Sequence, residues 1–291
     1  MSGTEHLRTE RYGPTLVLTL NRPEAKNALS VPMLVGLHDA WLEADADDGI
    51  RSVVLTGAGG AFCSGMDLKA LARGGTGGGR GDSTEDGARD GTRGGQGDGF
   101  AADDRYRARL AADPDLHWKA MLRHHRPRKP VIAAVEGVCV AGGTEILQGT
   151  DIRVAAESAS FGLFEVRRGL FPIGGSTVRL PRQIPRTHAL EMLLTGRRYT
   201  AAEARDIGLV GSVVPDGTAL KRALELAEAV NEAAPLAVEA VKRSVYETAG
   251  LNEEDGLARE LEIGWPVFAT EDAKEGPRAF AERRAPVFHR R

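Results

Sequence analysis

Short apolar runs alternate with helical patterns over the first 160 residues of the chain. Four runs are rich in strand-forming residues, and they cover residues 15–20, 52–56, 130–135 and 151–156. A helix with apolar residues at helical spacing follows Ser30, which can cap it, and Gly142-Gly143 opens another helix. Strands that alternate with helices predict an α/β core in which crossover connections join the strands.

The last third of the chain has a different pattern, because from Thr218 onward it is nearly all helical. One helix carries an apolar stripe of alanine and leucine, and a second begins at Pro235. On the second helix, the residues predicted to face inward are Val238, Val241 and Val245. Such stripes need a covering surface, either the α/β body or another subunit. We therefore predict an α/β core over residues 1–198 and a mainly helical region over residues 199–291.

Glycine is concentrated in residues 73–100, where 12 of the 36 glycines of the chain lie. The stretch has only two apolar side chains, Ala88 and Phe100, among charges of both signs. Such a composition cannot bury enough apolar surface to offset the entropy cost of ordering, which predicts a flexible insertion within the core domain. Two Arg-Gly-Gly triplets in the stretch leave an RNA-binding segment as an alternative.

The overall charge and composition argue against several classes of protein. A net charge of −3 does not suit a general nucleic-acid binder, which needs a basic face. No apolar run approaches the roughly 20 residues of a membrane span, and the polar N-terminus has no apolar signal core. Two cysteines, Cys63 and Cys139, are too few for a disulfide framework or a cysteine-based metal site. We therefore expect a cytoplasmic protein.

Two glycine-containing loops, residues 57–68 and 137–145, each lead from a strand into a helix. The first backbone N–H groups of a helix have no partner within it, so each loop is a candidate anion site. Placed side by side, the loops could each offer one N–H group to a developing oxyanion. Neither is a P-loop, because no Gly-Lys-Ser/Thr follows the glycines. Glycine-rich turns of this kind are also common in α/β folds without any catalytic role.

Two glutamates are candidates for acid–base chemistry. Glu145 lies in the first turn of the helix that follows the second loop, where it could instead serve only the helix dipole. Glu165 lies in an apolar stretch between Phe164 and Val166, and burial there would disfavour its charged form. The alternative for Glu165 is an exposed position on a loop.

Several segments, in order along the chain, resemble the crotonase (enoyl-CoA hydratase/isomerase) superfamily. They begin with Asn-Arg-Pro-Glu-Ala-Lys-Asn-Ala-Leu at residues 21–29 and Ala-Phe-Cys-Ser-Gly-Met-Asp-Leu at residues 61–68, and others lie within residues 133–145, 161–165, 169–175, 194–196 and 201–215. The ordered set spans about residues 8–289 apart from the insertion, and it is highly specific. The resemblance implies a spiral of ββα units followed by a helical region that assembles trimers, often as a dimer of trimers.

The resemblance also implies acyl-CoA thioester substrates, no metal or organic cofactor, and roles for particular residues. By position, the N–H groups of Met66 and Gly142 form the oxyanion hole. The residues implied to contact CoA are Lys26, Ala28, Ser64, Gly65, Asp67 and Leu68. Met66 replaces the small residue common in the family, so we expect its side chain to shape the acyl entrance.

Hydratases of this superfamily use two glutamates, and both matching positions are glutamate here, Glu145 and Glu165. The resemblance therefore implies an enoyl-CoA hydratase, in which Glu145 accepts a proton from water and protonated Glu165 delivers one to Cα. Phe164 replaces the usual proline before the second glutamate, which could tilt its loop. The alternatives are a Δ3,Δ2-enoyl-CoA isomerase or another acyl-CoA enzyme of the same fold, and a crotonase-like interaction protein without activity. The acyl group, fatty or as bulky as a steroid side chain, is left open.

Overall fold

A six-stranded sheet forms the centre of the fold, for which the computed structural model describes residues 3–67 and 98–291, with side chains from residue 104 onward in the second range. Its strands, in spatial order, are Leu7–Tyr12 (β1), Thr15–Leu20 (β2), Ser52–Gly57 (β3), Val131–Val135 (β4), Ile152–Ala156 (β6) and Ser212–Val214 (β9). β1 is antiparallel to β2, and each later pair is parallel. The four predicted strands are confirmed to within one residue at each end.

The main sheet is apolar on both faces because helices cover both. Within β2, Leu16 and Leu18 pack into one hydrophobic cluster, whereas Val17 packs into another. Trp41 belongs to the first cluster and Ala223 to the second, each on a helix that covers one face. Successive strand residues point to opposite faces, so a strand buried on both faces is a continuous apolar run.

A second sheet of three short strands lies beside the first. It consists of Val138–Val140 (β5), Ser160–Gly162 (β7) and Tyr199–Thr200 (β8), in the order β5-β7-β8. The pairs β4–β5 and β6–β7 each continue into helical segments, which agrees with the ββα units implied by the resemblance. Strands of two or three residues are too short to produce a periodicity in the sequence, and none of the three was predicted.

Three predicted helix starts are confirmed, namely those after Ser30, at Gly142 and at Pro235. In the described part of the chain the helices are Val31–Ala46 (α1), Asp98–Ala112 (α2), Leu116–Ala120 (α3), Gly142–Leu147 (α4), Ser176–Gln183 (α5), Arg186–Thr195 (α6), Ala201–Asp206 (α7), Ala219–Asn231 (α8), Pro235–Thr248 (α9), Glu253–Gly264 (α10) and Glu271–Ala281 (α11). Ser30 caps α1, as predicted, by accepting a hydrogen bond from the N–H of Met33. None of these helices is long and apolar enough to cross a membrane.

The predicted flexible insertion, residues 73–100, is too long at its C-terminal end. α2 begins at Asp98, so residues 98–100 are helical. Residues 73–97 lie outside the described part of the chain, and the prediction for them stays open. Glycine at position 99 is what made this first turn of α2 hard to recognise, because glycine is a poor helix former.

The predicted boundary between residues 198 and 199 does not mark the end of the sheets. β8 pairs with β7 and β9 pairs with β6, so both sheets take a strand from the region predicted to be helical. Three alanines on one stripe of α8 are fully buried against the main sheet, namely Ala219, Ala223 and Ala227. The α/β body therefore extends through α8, and the purely helical region begins at α9.

Two of the three valines of α9 that were predicted to face inward do not. Val241 and Val245 are 65% and 63% exposed, whereas Val238 is half-buried. Further exposed apolar side chains follow on α10 and on the 3-10 helix after it, namely Leu257, Leu261, Trp265 and Phe268. Large apolar side chains exposed on successive helices are typical of an interface.

Candidate active site

The two glycine-containing loops lie side by side at the ends of β3 and β4. Cys63 and Cys139 form a parallel bridge between them, and the N–H of Cys63 donates to the carbonyl of Val138 at 2.9 Å. Gly65 lies at a close approach of the loops and has a φ of +94° that favours glycine. A Cβ at this position would lie only 2.8 Å from the Cβ of Ala141, and one on Gly143 would lie 2.5 Å from the carbonyl oxygen of Cys63. The loops can therefore pack together because glycines, Gly65 among them, stand where they meet.

The N–H groups of Met66 and Gly142 have no hydrogen-bond partner within residues 3–67 and 98–291. Gly142 is the first residue of α4, where the helix itself leaves the N–H free. A Cβ on Gly65 would lie 3.1 Å from the nitrogen of Gly142, which shows how closely the first loop passes it. A Cβ on Gly142 would lie 3.2 Å from Leu29 Cδ1 and 3.5 Å from Met121 Cε. Two free donors in such an apolar setting can stabilise an oxyanion strongly.

A strained turn at Ala141 directs the first residues of α4 toward the first loop. Ala141 has φ +50° and ψ −126°, a conformation that non-glycine residues rarely adopt and that costs on the order of 1–3 kcal/mol. Its N–H donates to the carbonyl of Gly162 at 2.8 Å, and Thr144 Oγ1 donates to the carbonyl of Cys139 at 2.7 Å. These two hydrogen bonds hold the turn in place.

Glu145 is buried in the first turn of α4, with 5% of its surface exposed. Burial, with the charge of Glu165 as the second cause, raises the pKa of Glu145 to about 7. The N–H groups of Gly174 and Ser176 face this carboxylate and oppose the shift, because they favour the anion. In the described part of the chain, Oε1 has no hydrogen-bond partner, so it is free to bind a water molecule.

Glu165 begins the 3-10 helix Glu165–Arg168 and is half-buried rather than exposed on a loop. Burial raises the pKa of Glu165, and its Oε2 has no partner among the described residues. The charge of Glu165 contributes to the raised pKa of Glu145, so the two carboxyls lie within electrostatic range of each other with Phe164 in place. The ring of Phe164 instead packs on Gly162, where a Cβ would lie 2.5 Å from it. The replacement of proline is therefore accommodated by glycine beneath the ring.

The residues implied to contact CoA lie in two segments that pack on each other. Those within the described residues are Lys26, Ala28, Ser64, Gly65 and Asp67, whereas Leu68 lies outside them. The N–H of Ser64 donates to the carbonyl of Lys26 at 3.0 Å. Arg22 Nη1 donates to the carbonyl of Ala28 at 2.9 Å and to Asp67 Oδ2 at 3.0 Å. The segments form one surface beside the free N–H groups, and their role in binding CoA stays a prediction.

The two thiols are packed inside the loops. Cys63 and Cys139 are both fully buried, and burial raises the pKa of Cys63 to about 12 and that of Cys139 well above its ordinary value. Thiols with such pKa values stay protonated at neutral pH and are poor nucleophiles. Packing between the loops is therefore the role that the structure supports for both.

Sequence reasoning missed Gly174 and Ser176, which lie beside Glu145. A Cβ on Gly174 would lie 2.5 Å from Glu145 Oε2, so the backbone approaches the carboxylate directly. Ser176 is fully buried and begins α5. The only available signal was the Gly174-Gly175 pair within the segment 169–175, which by itself predicts no more than a turn.

No role was predicted for Asn27, although it lies within the segment 21–29. It is buried, and its Nδ2 donates to the carbonyls of Ala58 and Ala61 at 2.9 and 2.7 Å. Its Oδ1 accepts from the N–H of Arg22 at 2.8 Å. Asn27 thereby joins the CoA segment to the first oxyanion loop.

We expect Asn27→Ala to lower the free energy of unfolding by about 3 kcal/mol, because buried partners lose their hydrogen bonds and a φ of +54° suits alanine less than asparagine. Urea or thermal unfolding measures the loss. Asn21→Ala is the control, since Asn21 Nδ2 makes one hydrogen bond in an exposed setting, and it should change stability by less than about 0.5 kcal/mol. Equal losses in the two variants would contradict the linking role of Asn27.

Comparison with known proteins adds an independent observation. The family described as "Enoyl-CoA hydratase/isomerase" matches residues 10–88 and 103–291. The chain is 51% identical over 290 residues to "Enoyl-CoA hydratase EchA19" from Mycobacterium tuberculosis, covering 100% of this chain and 98% of that protein. It is 37% identical to "(E)-benzylidenesuccinyl-CoA hydratase" from Thauera aromatica, covering 93% and 94%. The crystal structure of an enoyl-CoA hydratase from Mycobacterium tuberculosis is 39% identical, with a TM-score of 0.81 and coverage of 99% and 100%.

Proposed function

The chain belongs to the enoyl-CoA hydratase/isomerase family, and we propose that it is an enoyl-CoA hydratase, which adds water across the trans-2 double bond of an enoyl-CoA to give a 3-hydroxyacyl-CoA. The observation that carries this function is a pair of glutamates, buried Glu145 and half-buried Glu165, each with an oxygen that has no partner in the described part of the chain. Hydration needs one group to take a proton from water and another to give one to carbon. A pair of carboxylates beside an oxyanion hole supplies both.

The thioester carbonyl is the point at which the protein activates the substrate. Its oxygen accepts hydrogen bonds from the N–H groups of Met66 and Gly142. As water attacks Cβ, negative charge moves onto this oxygen, and the two donors stabilise that charge more than the neutral carbonyl. Leu29 and Met121 keep the surroundings apolar, which strengthens the interaction.

The two glutamates divide the proton transfers. Burial raises the pKa of both carboxyls, and the charge of Glu165 adds to the shift of Glu145, so both hold a proton more readily than an exposed glutamate. Glu145, with N–H groups facing its carboxylate, is ionised in the productive form and takes the proton from the attacking water. Glu165 is protonated in the productive form and delivers its proton to Cα. After the reaction the proton has moved from one glutamate to the other, and exchange with solvent restores the starting form.

We also propose the wider biochemical setting. The CoA portion lies along the segments around Lys26 and Ser64, and the enzyme serves fatty-acid or related acyl-CoA catabolism in the cytoplasm. No metal or organic cofactor is required, because the oxyanion hole and the glutamate pair cover the polarisation and both proton transfers. The exposed apolar side chains of α9 and α10 support a homo-oligomer, a trimer or a dimer of trimers.

Incubation with crotonyl-CoA and longer trans-2-enoyl-CoA esters in ¹⁸O-water tests the proposal. We expect mass spectrometry to find a 3-hydroxyacyl-CoA with the label at C3, since only an activated water can put it there. Conversion of a trans-3-enoyl-CoA to the trans-2 isomer without label, and no hydration, would establish an isomerase instead. No turnover of any ester by folded protein would indicate an interaction protein.

A further inference from the structure

Behind Glu145 lie two buried polar side chains that the reaction described above does not use. Gln148, which follows α4, is 1% exposed, and Ser176 at the start of α5 is fully buried. Gln148 Nε2 lies 2.8 Å from Ser176 Oγ and 3.1 Å from the carbonyl oxygen of Thr144. A polar pair placed between two helices and beside a catalytic carboxylate needs a reason, because apolar residues would fill the space at lower cost.

The orientation of the Gln148 amide is fixed by its second contact. If the amide were rotated by half a turn, its oxygen would face the carbonyl oxygen of Thr144, and the two acceptors would repel each other. The nitrogen must therefore face Ser176, and it donates to Ser176 Oγ. The main chain of Gln148 is held as well, because its backbone carbonyl accepts from Gln183 Nε2 at 2.9 Å, while Gln183 Oε1 accepts from Arg153 Nη2 at 3.0 Å.

This geometry decides where the Ser176 hydroxyl hydrogen points. A hydroxyl has one hydrogen, and since Ser176 Oγ is an acceptor toward Gln148, its hydrogen is left for another group. Glu145 is the group that this hydrogen serves. Gly174, two residues before Ser176, lies so close to Glu145 that a Cβ there would be 2.5 Å from Oε2, and the hydroxyl and N–H of Ser176 both act to lower the pKa of this carboxyl.

We propose that Gln148 and Ser176 are positioning residues for catalysis: Gln148 orients the Ser176 hydroxyl so that it donates to Glu145 and holds this carboxylate in the ionised form that activates water. The inference rests on the proposed function, because it gives Glu145 the role of base. Two charged groups also act on Glu145, namely Glu165 on the neighbouring 3-10 helix and Arg179 on α5. Neither is altered by changes at Gln148 or Ser176, so the contribution of the hydroxyl can be measured separately.

The pH dependence of kcat/KM for enoyl-CoA hydration tests the proposal. Ser176→Ala removes a donor to the anion, so the acidic limb of the profile should move to higher pH by about one unit, a loss of about tenfold on that limb, with a smaller change on the plateau. Gln148→Leu should move the limb in the same direction by less. The double variant should match Ser176→Ala, because Gln148 acts only through the hydroxyl.

Thr150→Ala is the matched control. It removes another buried hydroxyl close to α4, one that donates to the carbonyl of Leu147 and not to Glu145. We expect it to leave the acidic limb in place even if it lowers stability. A limb that moves equally in Thr150→Ala and Ser176→Ala would overturn the proposal, since the cause would then be general loosening of the helix.

A second measurement separates this inference from the proposed function. Titration of the Glu145 carboxyl by NMR, with ¹³C-labelled glutamate and Glu145→Gln for assignment, needs no substrate. If the parent enzyme hydrates enoyl-CoA but Ser176→Ala and Gln148→Leu leave both the limb and the titration unchanged, the inference is wrong and the function stands. If the parent hydrates no ester, the function is wrong, and an upward shift of the Glu145 titration in either variant still supports the positioning contact. Gln148→Leu decides the matter by itself if Ser176→Ala does not fold.

Discussion

Glu145→Gln should lower kcat/KM for hydration by at least about 10²-fold and leave the protein folded. Glutamine has the shape of glutamate but cannot take a proton from water, so the attack on Cβ loses its base. We expect the same size of loss in Glu165→Gln, which cannot deliver a proton to Cα. Both are measured from the loss of the enoyl-thioester absorbance with crotonyl-CoA and a longer ester.

Glu157→Gln is the control for the glutamate variants, because Glu157 is exposed at the end of β6 and should be replaceable without effect.

The pH dependence of stability provides a further test of the raised pKa of Glu145. The pKa of Glu145 is raised from 4.5 to about 7, so ionising this group costs the folded state stability as pH rises through that window. Glu145→Gln has no such cost, and its free energy of unfolding relative to the parent should rise between about pH 4.5 and pH 7. Parental turnover by Glu165→Gln would show that the acid is misassigned.

Gly65→Ala should lower kcat/KM by about 10²–10³-fold, the usual effect of losing one oxyanion donor. A Cβ at this position would lie 2.8 Å from the Cβ of Ala141 and 3.1 Å from the nitrogen of Gly142. The loops must therefore separate, and the N–H groups of Met66 and Gly142 can no longer reach one oxygen. In this variant kcat should fall by a larger factor than KM rises, because the donors act chiefly on the transition state.

Gly60→Ala is the matched control for this variant. Gly60 also has a positive φ, +71°, but nothing lies within 4 Å of a Cβ placed there. Both alanines carry similar backbone strain, and only the one at residue 65 pushes the loops apart. Equal losses of activity in the two variants would show that strain, and not separation of the donors, is responsible.

The strands and the family could be predicted because their signals are carried by neighbouring residues. Residues 15–20 consist of strand-forming leucine, valine and threonine, and Ser30 precedes a run at helical spacing, so β2 and the start of α1 follow from local patterns alone. The ordered segments around Met66, Glu145 and Glu165 likewise identified the family and the candidate residues. Short strands such as β8 and β9 carry too few residues for a pattern, which explains why neither was predicted within the mainly helical region.

The sequence alone determined the α/β class, the family, and the residues from which an oxyanion hole and an acid–base pair can be built. Only the tertiary structure decided that Gly65 brings the two loops together, that Glu145 is buried within the field of Glu165, and that Ser176 faces the same carboxylate. It also decided that the side chain of Val241 is exposed and does not pack against the α/β body. The reason is that strand and helix preferences depend on residues close in sequence, whereas burial, charge coupling and free hydrogen-bond donors depend on packing between segments distant in the chain.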